Sequence, residues 1–151
     1  ARFFDVIKPN RAYFGLKDYQ QYYIIQELAE KSFQNIKVIG CPTLREADGL
    51  AMSSRNLRLS NDERQAAGAI YQALQLIKTN LPSKSNANKV IALAKEELKR
   101  HPLINLEYLE VRDETDFKPA SKNLNPNSKY RAFVSAFVGP VRLIDNLLVF
   151  P

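Results

Sequence analysis

The chain has 151 residues, of which 45% are hydrophobic and 25% charged. This composition is typical of a globular domain and excludes disordered, collagen-like and coiled-coil chains. No apolar run approaches the roughly 20 residues of a membrane-spanning helix, so we expect no contact with a membrane. The formal net charge of +6 is shared equally between residues 1–59 and 60–151. This even distribution does not favour binding to nucleic acid, which usually needs a concentrated basic patch.

Residues 1–43 are predicted to form a βαβ unit. Residues 1–8 have the apolar spacing of the last turns of an amphipathic helix. A short strand at 11–14, a helix capped by Asp18 and a second strand at 36–39 follow. The two strands should be parallel, with a right-handed crossover between them. Because parallel strands need more neighbours and cover on both faces, we expect this unit to be part of a larger α/β domain.

The rest of the chain is predicted to be a loop followed by an α+β domain. Residues 44–59 keep neither a helical nor a strand period and are interpreted as a structured loop or hinge. A capping box, Ser-Asn-Asp-Glu at 60–63, begins a long helix, and the polar run 83–88 separates it from a second helix that ends near Lys99. The predicted apolar face of the long helix consists of Ala66, Ile70, Ala73, Leu74, Ile77 and Leu81.

Three strands complete the predicted α+β domain, which spans residues 60–151. The first, at 106–111, has two faces of alternating residues, with Leu106, Tyr108 and Glu110 on one and Glu107, Leu109 and Val111 on the other. The other two strands, at 130–138 and 141–150, are separated by Gly-Pro. We therefore expect two helices and a mostly antiparallel three-stranded sheet.

Single cysteine and histidine residues limit the chemistry that the chain can carry. One Cys and one His exclude an internal disulfide, a Cys-based zinc site and a multi-His metal site. We interpret Cys41 as a buried small residue and His101 as a surface residue at a helix end. Because structural disulfides belong to oxidising compartments and no leader opens the chain, we expect a cytoplasmic protein.

The segment 14–21 has the properties of an anion site. Gly15 follows a strand and would let a ligand approach the backbone closely. The helix that follows points its positive end to the same place, where Lys17 adds a charge and Asp18 and Gln21 add polar groups. Ligands of α/β folds bind at the carboxyl ends of parallel strands. A helix start with a surface lysine is the competing interpretation.

A second segment, 48–56, follows the carboxyl end of the second predicted strand. Ser53, Ser54 and Arg55 place two hydroxyls and a guanidinium on a loop that contains glycine, and these groups suit phosphate oxygens. A polar linker would have a similar composition. The two segments are expected at the same edge of the sheet, which favours a shared phosphate site.

Together, Phe14-Gly-Leu-Lys-Asp-Tyr-Gln-Gln21 and Arg45-Glu-Ala-Asp-Gly-Leu-Ala-Met-Ser-Ser-Arg-Asn56 resemble the pantoate–β-alanine ligase (pantothenate synthetase) family. The spacing of Lys17 and Arg55 and the segment 141–146 are similar to the family as well. The resemblance implies a Rossmann-like nucleotide-binding domain related to class I aminoacyl-tRNA synthetases. It also implies ATP-dependent condensation of pantoate with β-alanine, with Mg²⁺, through a pantoyl-adenylate, in the pathway to coenzyme A.

The resemblance also implies roles for individual residues. The turn at 52–55 is similar to the synthetases' Lys-Met-Ser-Lys-Ser loop, and Asp18 would lie near the ribose or the metal. Gln21 would bind pantoate, and no metal ligand is assigned. The implied catalytic residues are Lys17, Ser53, Ser54 and Arg55. The implied ATP-binding residues are Gly15, Leu16, Lys17, Asp18, Leu44, Met52, Ser53, Ser54 and Arg55.

The chain departs from the family because it has no His-x-Gly-His-type loop. We therefore expect a C-terminal part of the enzyme, inactive by itself. It would comprise a nucleotide-domain remnant at 1–43, a phosphate-binding loop at 44–59 and a lid-like domain at 60–151. The complete enzyme is expected to be a homodimer that binds ATP, pantoate and β-alanine but no nucleic acid. A stand-alone nucleotide-binding or regulatory module without catalysis is the alternative.

Overall fold

The computed structural model describes residues 1–81, 86–120 and 124–150. The chain divides into two compact units, Ala1–Leu44 and Arg45–Pro151. Within the described ranges, no helix is long and apolar enough to span a lipid bilayer.

The first unit is the predicted βαβ arrangement, and its two strands are parallel. Arg11 lies opposite Lys37 and Gly15 opposite Cys41. Its core is thin, since the buried hydrophobic residues among those described in this unit are Phe4 and Ala29. The elements in chain order are α1 (Arg2–Ile7), β1 (Arg11–Gly15), a 3₁₀ turn (Leu16–Asp18), α2 (Tyr19–Ser32) and β2 (Lys37–Cys41).

The predicted capping of α2 by Asp18 is wrong in its chemistry. Asp18 occupies the N-cap position, but its side chain makes no capping hydrogen bond. The 3₁₀ turn that ends at Asp18 gives this residue φ −94° and ψ 59°, outside the extended conformation that N-cap residues typically adopt. Its carboxylate is exposed at the start of the helix.

The second unit is an α+β arrangement, and the predicted fold class is confirmed. Its three strands lie in the order β3 (Ile104–Asp113), β4 (Tyr130–Val138) and β5 (Val141–Phe150), and both pairings are antiparallel. All six residues of the predicted apolar face of the long helix lie in the core or pack against it. The elements are a 3₁₀ helix (Ser54–Arg58), α3 (Asn61–Asn80), α4 (Ala87–Lys99), β3 (Ile104–Asp113), β4 (Tyr130–Val138) and β5 (Val141–Phe150).

Side chains cap both helices of this unit. The Ser60 hydroxyl accepts a hydrogen bond from the Glu63 backbone N–H, and the Glu63 carboxylate accepts one from the Ser60 N–H, which completes the predicted capping box. Helix α4 begins at Ala87, inside the predicted polar break, because the Asn86 side chain accepts a hydrogen bond from the Asn88 N–H. The first part of that break, at 83–85, lies outside the described residues.

The predicted alternation along the first strand of this sheet is wrong at one point. A bulge between Leu106 and Tyr108 inserts one residue into the ladder. Because an extra residue resets which side faces the core, Leu106 packs against the same core as Leu109 and Val111. Glu107, at the bulge, is exposed.

Candidate functional site

The first predicted site segment lies where β1 ends and α2 begins. Gly15 has φ −67° and ψ 128°, a conformation that any residue adopts. Apart from its chain neighbours, no described heavy atom lies within 4 Å of the place that a Cβ would occupy. Neither backbone strain nor internal packing therefore requires glycine here. The open space beside this backbone is what close approach of a ligand would need.

The residues predicted around Gly15 share one short stretch of the first unit. Lys17 is half-buried, whereas Asp18 and Gln21 are exposed at the start of α2. The first turn of α2 contains no acidic residue, and the Asp18 carboxylate at the N-cap position is the negative charge beside the positive end of the helix dipole. Leu16 is half-buried in the 3₁₀ turn, and Leu44, at the other end of this unit, is 73% exposed.

In the second unit, Arg45 anchors the chain just before the other predicted segment, residues 48–56. Its guanidinium donates to both carboxylate oxygens of Asp145, at 2.6 and 3.0 Å, and Asp145 is only 3% exposed. It also donates to the backbone carbonyls of Gly49 and Asn146 and lies 4.2 Å from the centre of the Tyr71 ring. This pair is bidentate and nearly buried, so each charge depends on the other.

A second cluster of charges joins the same segment to α3. Arg64 donates to Glu46 at 2.5 Å and to Asp48 at 2.6 Å. Hydrogen bonding from Arg64 lowers the pKa of the Asp48 carboxyl, and the two carboxylates raise the pKa of Arg64. Hydrogen bonds from Asn56 and Arg64 lower the pKa of Glu46. All three groups are therefore ionised at neutral pH.

Asn56 closes the segment from the other side. Its side chain is 8% exposed, and its amide nitrogen donates to the Glu46 carboxylate at 2.7 Å and to the Ala51 carbonyl at 3.2 Å. An isolated antiparallel backbone bridge between Arg45 and Ala51 also brings the two ends of the segment 45–51 together. We call the side chains of Arg45, Glu46, Asp48 and Asn56 the loop frame.

The frame leaves the predicted phosphate-binding residues at the surface. Met52, Ser54 and Arg55 are exposed, and Ser53 is half-buried. The Ser53 hydroxyl accepts a hydrogen bond from the Arg55 backbone N–H at 3.2 Å, and an Arg55 guanidinium nitrogen lies 3.4 Å from the Arg142 carbonyl oxygen. Two hydroxyls and a guanidinium thus lie on three consecutive residues, a set that suits the oxygens of a phosphate group.

Sequence reasoning found the surface residues of this segment and missed its frame. Arg45, Glu46, Asp48 and Asn56 belong to the quoted motif, but no role was predicted for them. One signal was available in the sequence: this loop has no hydrophobic periodicity but carries many charges of both signs. A solvated linker does not need such complementary charges. Their partners gave no local signal: Arg64 follows the capping box, and Asp145 belongs to the segment 141–146 that resembles the family, but it lies 100 positions from Arg45.

Two further predictions concern isolated reactive side chains. Cys41 is half-buried at the end of β2 rather than fully buried. His101, predicted at the surface, is also half-buried. Its backbone N–H donates to the Leu98 carbonyl and its carbonyl accepts from the Ile104 N–H, so its backbone connects α4 to β3.

The fold and these segments are those of an α/β protein with residue types suited to an anionic ligand. The chain belongs to the Pantoate-beta-alanine ligase family, whose model matches residues 1–148. This match confirms the resemblance drawn from the sequence motifs. The roles of the individual site residues and the division into domains at 43 and 59 stay predictions.

Sequence relatives and solved structures support the same family assignment. The chain is 43% identical to a pantothenate synthetase of Flavobacterium psychrophilum over 97% of its own length and 51% of that protein's. The structure of a pantothenate synthetase from Thermus thermophilus matches with a TM-score of 0.90 at 34% identity, covering 99% of this chain and 53% of that one. The chain thus spans about half the length of these relatives.

Another solved structure was determined with ligands bound. It is the pantoate-beta-alanine ligase of Francisella tularensis, complexed with beta-gamma ATP and beta-alanine. The match has a TM-score of 0.66 and 32% identity, and it covers 97% of this chain and 46% of that protein.

The Arg45–Asp145 pair predicts where the second unit can be separated. Residues 45–151 should fold by themselves, whereas residues 60–151 lack Arg45 and leave Asp145 buried without its partner. Losing one member of a buried pair typically costs about 3–5 kcal/mol. The shorter chain also loses Leu50 from the core. Urea unfolding followed by circular dichroism should therefore show it to be less stable by at least about 3 kcal/mol. Asp145→Asn in the shorter chain should recover part of that loss. Equal stability of both chains would contradict this role of Arg45.

The charge cluster on α3 predicts how stability depends on pH. Glu46 and Asp48 have lowered pKa values in the folded chain, so their contribution is present above their ordinary values and is lost as the pH falls through the folded ones. Arg64→Met should lower stability near pH 7 and flatten its decline between about pH 5 and pH 3. Urea midpoints across this range measure both effects. Arg100→Met removes an exposed ion pair with Glu97 and is the control. Parallel curves for Arg64→Met and the unaltered chain would contradict the assignment.

Proposed function

We propose that this chain supplies part of the phosphate-binding machinery of a pantoate–β-alanine ligase. The complete protein would join pantoate to β-alanine at the expense of ATP, through a pantoyl-adenylate. The observation that carries the proposal is the turn at 53–55, where an internally bonded frame holds two hydroxyls and a guanidinium at the surface. The Francisella relative, complexed with beta-gamma ATP and beta-alanine, supports the same class of ligands.

In the proposed first step, the pantoate carboxylate attacks the α-phosphorus of ATP and pyrophosphate leaves. Negative charge increases on the leaving group as its bond to the α-phosphate breaks. Lys17, Arg55 and the hydroxyls of Ser53 and Ser54 stabilise that charge by fixed dipoles and cations, without transferring a proton.

The remaining predicted residues have roles in binding. Gly15, Leu16 and Asp18 would contact the nucleotide where β1 ends, and Leu44 and Met52 would supply apolar contacts to it. The Gln21 amide has both donors and an acceptor and would bind pantoate through its carboxylate or hydroxyl groups. In the second step, the β-alanine amine attacks the acyl carbonyl of the adenylate and AMP leaves.

We propose that Mg²⁺ reaches the site with ATP. This ion usually binds phosphate oxygens and water together with one or two protein carboxylates. Within the described ranges, no group of three or more His, Cys, Asp or Glu side chains could hold a metal ion. A homodimer in the cytoplasm remains our proposal for the complete enzyme.

Arg55 can be tested in the complete ligase that contains this chain. Arg55→Ala should slow adenylation by an amount equivalent to about 2–4 kcal/mol, because the charge it meets develops in the transition state. Pantoate binding should change much less. Pyrophosphate release at saturating substrate and the KM for pantoate measure the two effects. Arg58→Ala removes an exposed arginine from the same 3₁₀ helix and should leave the rate unchanged. If Arg55→Ala matched the unaltered enzyme, Arg55 would have no role in adenylation.

The chain of 151 residues should not make pantothenate by itself. Orienting two reactants accounts for a large part of enzymatic rate, and this chain spans about half the length of its relatives. Incubation with ATP, Mg²⁺, pantoate and β-alanine should release no AMP above a control without protein. Weak ATP binding by calorimetry would agree with the residues present. Turnover comparable to that of a complete ligase would contradict the proposal.

A further inference from the structure

We propose that Asn56 is a positioning residue that holds the turn at 53–55 in its phosphate-binding arrangement. It would act through the Glu46 carboxylate and not through the substrate. This inference rests on the proposed function of Ser53, Ser54 and Arg55. Asn56 has a neutral amide, is buried and makes two hydrogen bonds through its side-chain nitrogen. These are the properties of a residue that holds a turn in place, here called the clamp.

The orientation of the Asn56 amide is determined by its partners. The two groups that face its nitrogen are the Glu46 carboxylate, 2.7 Å away, and the Ala51 carbonyl, 3.2 Å away. Both are acceptors only, so the side-chain oxygen cannot replace the nitrogen there. That oxygen is buried and has no hydrogen-bond partner among the described residues. Asn56 is thus bound through its two N–H donors.

The backbone of Asn56 closes the turn that carries the phosphate-binding groups. Its N–H donates to the Ser53 carbonyl at 3.0 Å, and its own carbonyl accepts from the Leu59 N–H at 3.2 Å. Arg55 is the preceding residue. A displacement of Asn56 would therefore move the hydroxyl of Ser53 and the guanidinium of Arg55 together, although neither touches the Asn56 side chain in the described contacts.

The clamp is connected to a helix through Glu46. One carboxylate oxygen of Glu46 accepts from Asn56, and the other accepts from Arg64 at 2.5 and 3.1 Å. Arg64 lies on α3, which packs against the sheet of this unit. The order Arg64, Glu46, Asn56 therefore joins a rigid helix to an exposed turn by charge-assisted hydrogen bonds, which are about twice as strong as neutral ones.

The decisive variant is Asn56→Asp in the complete ligase. It replaces the donor nitrogen by an oxygen that faces the Glu46 carboxylate at hydrogen-bond distance. Two carboxyl groups so close share one proton, and the pair titrates at a raised pKa. The protonated pair keeps one of the two donor contacts, whereas the fully ionised pair repels and releases the turn. Activity of this variant should therefore recover as the pH falls.

The measurement is pyrophosphate release at saturating ATP and pantoate between about pH 6 and pH 8.5. At about pH 8.5, we expect the kcat of Asn56→Asp to be about 10-fold to 100-fold lower than that of the unaltered enzyme. A small misplacement of catalytic groups has an effect of this size. The deficit should shrink several-fold at the lower end, and the KM for pantoate should change little. Asn56→Ala has no titrating group, so its deficit should be the same at every pH.

Two further variants separate positioning from general instability. Asn61→Asp makes the same chemical change at an exposed residue of α3 and should leave kcat and its pH profile unchanged. The double variant Glu46→Gln with Asn56→Asp exchanges the amide and the carboxylate. It should lose the anomalous pH dependence and regain activity relative to Asn56→Asp. Circular dichroism at each pH verifies that every variant is folded.

The outcomes distinguish this inference from the proposed function. If Asn56→Asp and Asn56→Ala had the same deficit at every pH and the double variant recovered nothing, Asn56 would be structural only and the inference would be wrong. Unchanged kcat in both Asn56 variants would also overturn it. In either case a slow Arg55→Ala would leave the proposed function standing. If Arg55→Ala were also fully active, the proposed function itself would fail.

Discussion

The ion pair between Arg45 and Asp145 is the interaction on which the candidate site in the second unit depends. A carboxylate as buried as Asp145 is strongly destabilising unless it is paired and hydrogen-bonded. Arg45 supplies a bidentate contact, and the Asn146 backbone N–H donates a further hydrogen bond to Asp145 at 2.8 Å. Because the arginine opens the loop and the aspartate lies on β5, folding of the sheet brings the start of the loop to a fixed place.

The other polar groups of the loop divide into two sets with different environments. Glu46, Asp48 and Asn56 have protein partners: hydrogen bonds from Asn56 and Arg64 lower the pKa of Glu46, and hydrogen bonding from Arg64 lowers the pKa of Asp48. Ser54 and Arg55 remain at the surface. Because most charged groups of this loop have partners within the protein, the loop has less conformational freedom than a solvated linker. Its exposed guanidinium and hydroxyls are therefore held in place. Preorganised groups of this kind lose less entropy when an anion binds.

Local signals predicted much of the fold. The capping box at 60–63 and the parallel βαβ order follow from interactions close in sequence or from chain connectivity, and both are present. The bulge after Leu106 could not be predicted, since its position depends on pairing with a strand more than twenty residues away. Asp18 failed as a cap for a local reason, because the 3₁₀ turn before α2 changes its backbone conformation.

The candidate site was predictable only where its chemistry shows in the residue types. Two serines beside Arg55 suggest phosphate whatever the fold, so the sequence identified them. The frame did not stand out, because Arg45 acquires its role from a carboxylate a hundred positions later. The sequence contains both charges, but only the antiparallel sheet brings them together. Charges that will be buried and charges that will stay solvated look alike in a sequence.

Gly49 shows that the loop and α3 cannot vary independently. It has φ +90°, and a Cβ there would lie 1.9 Å from the ring of Tyr71. The same ring faces the Arg45 guanidinium on its π surface, and Gln75 donates a hydrogen bond to its hydroxyl. A side chain at position 49 would have to push the ring away from the arginine. A lineage that altered the glycine would thus need both a backbone shift away from φ +90° and a change at position 71, which couples the evolution of the loop to that of a helix.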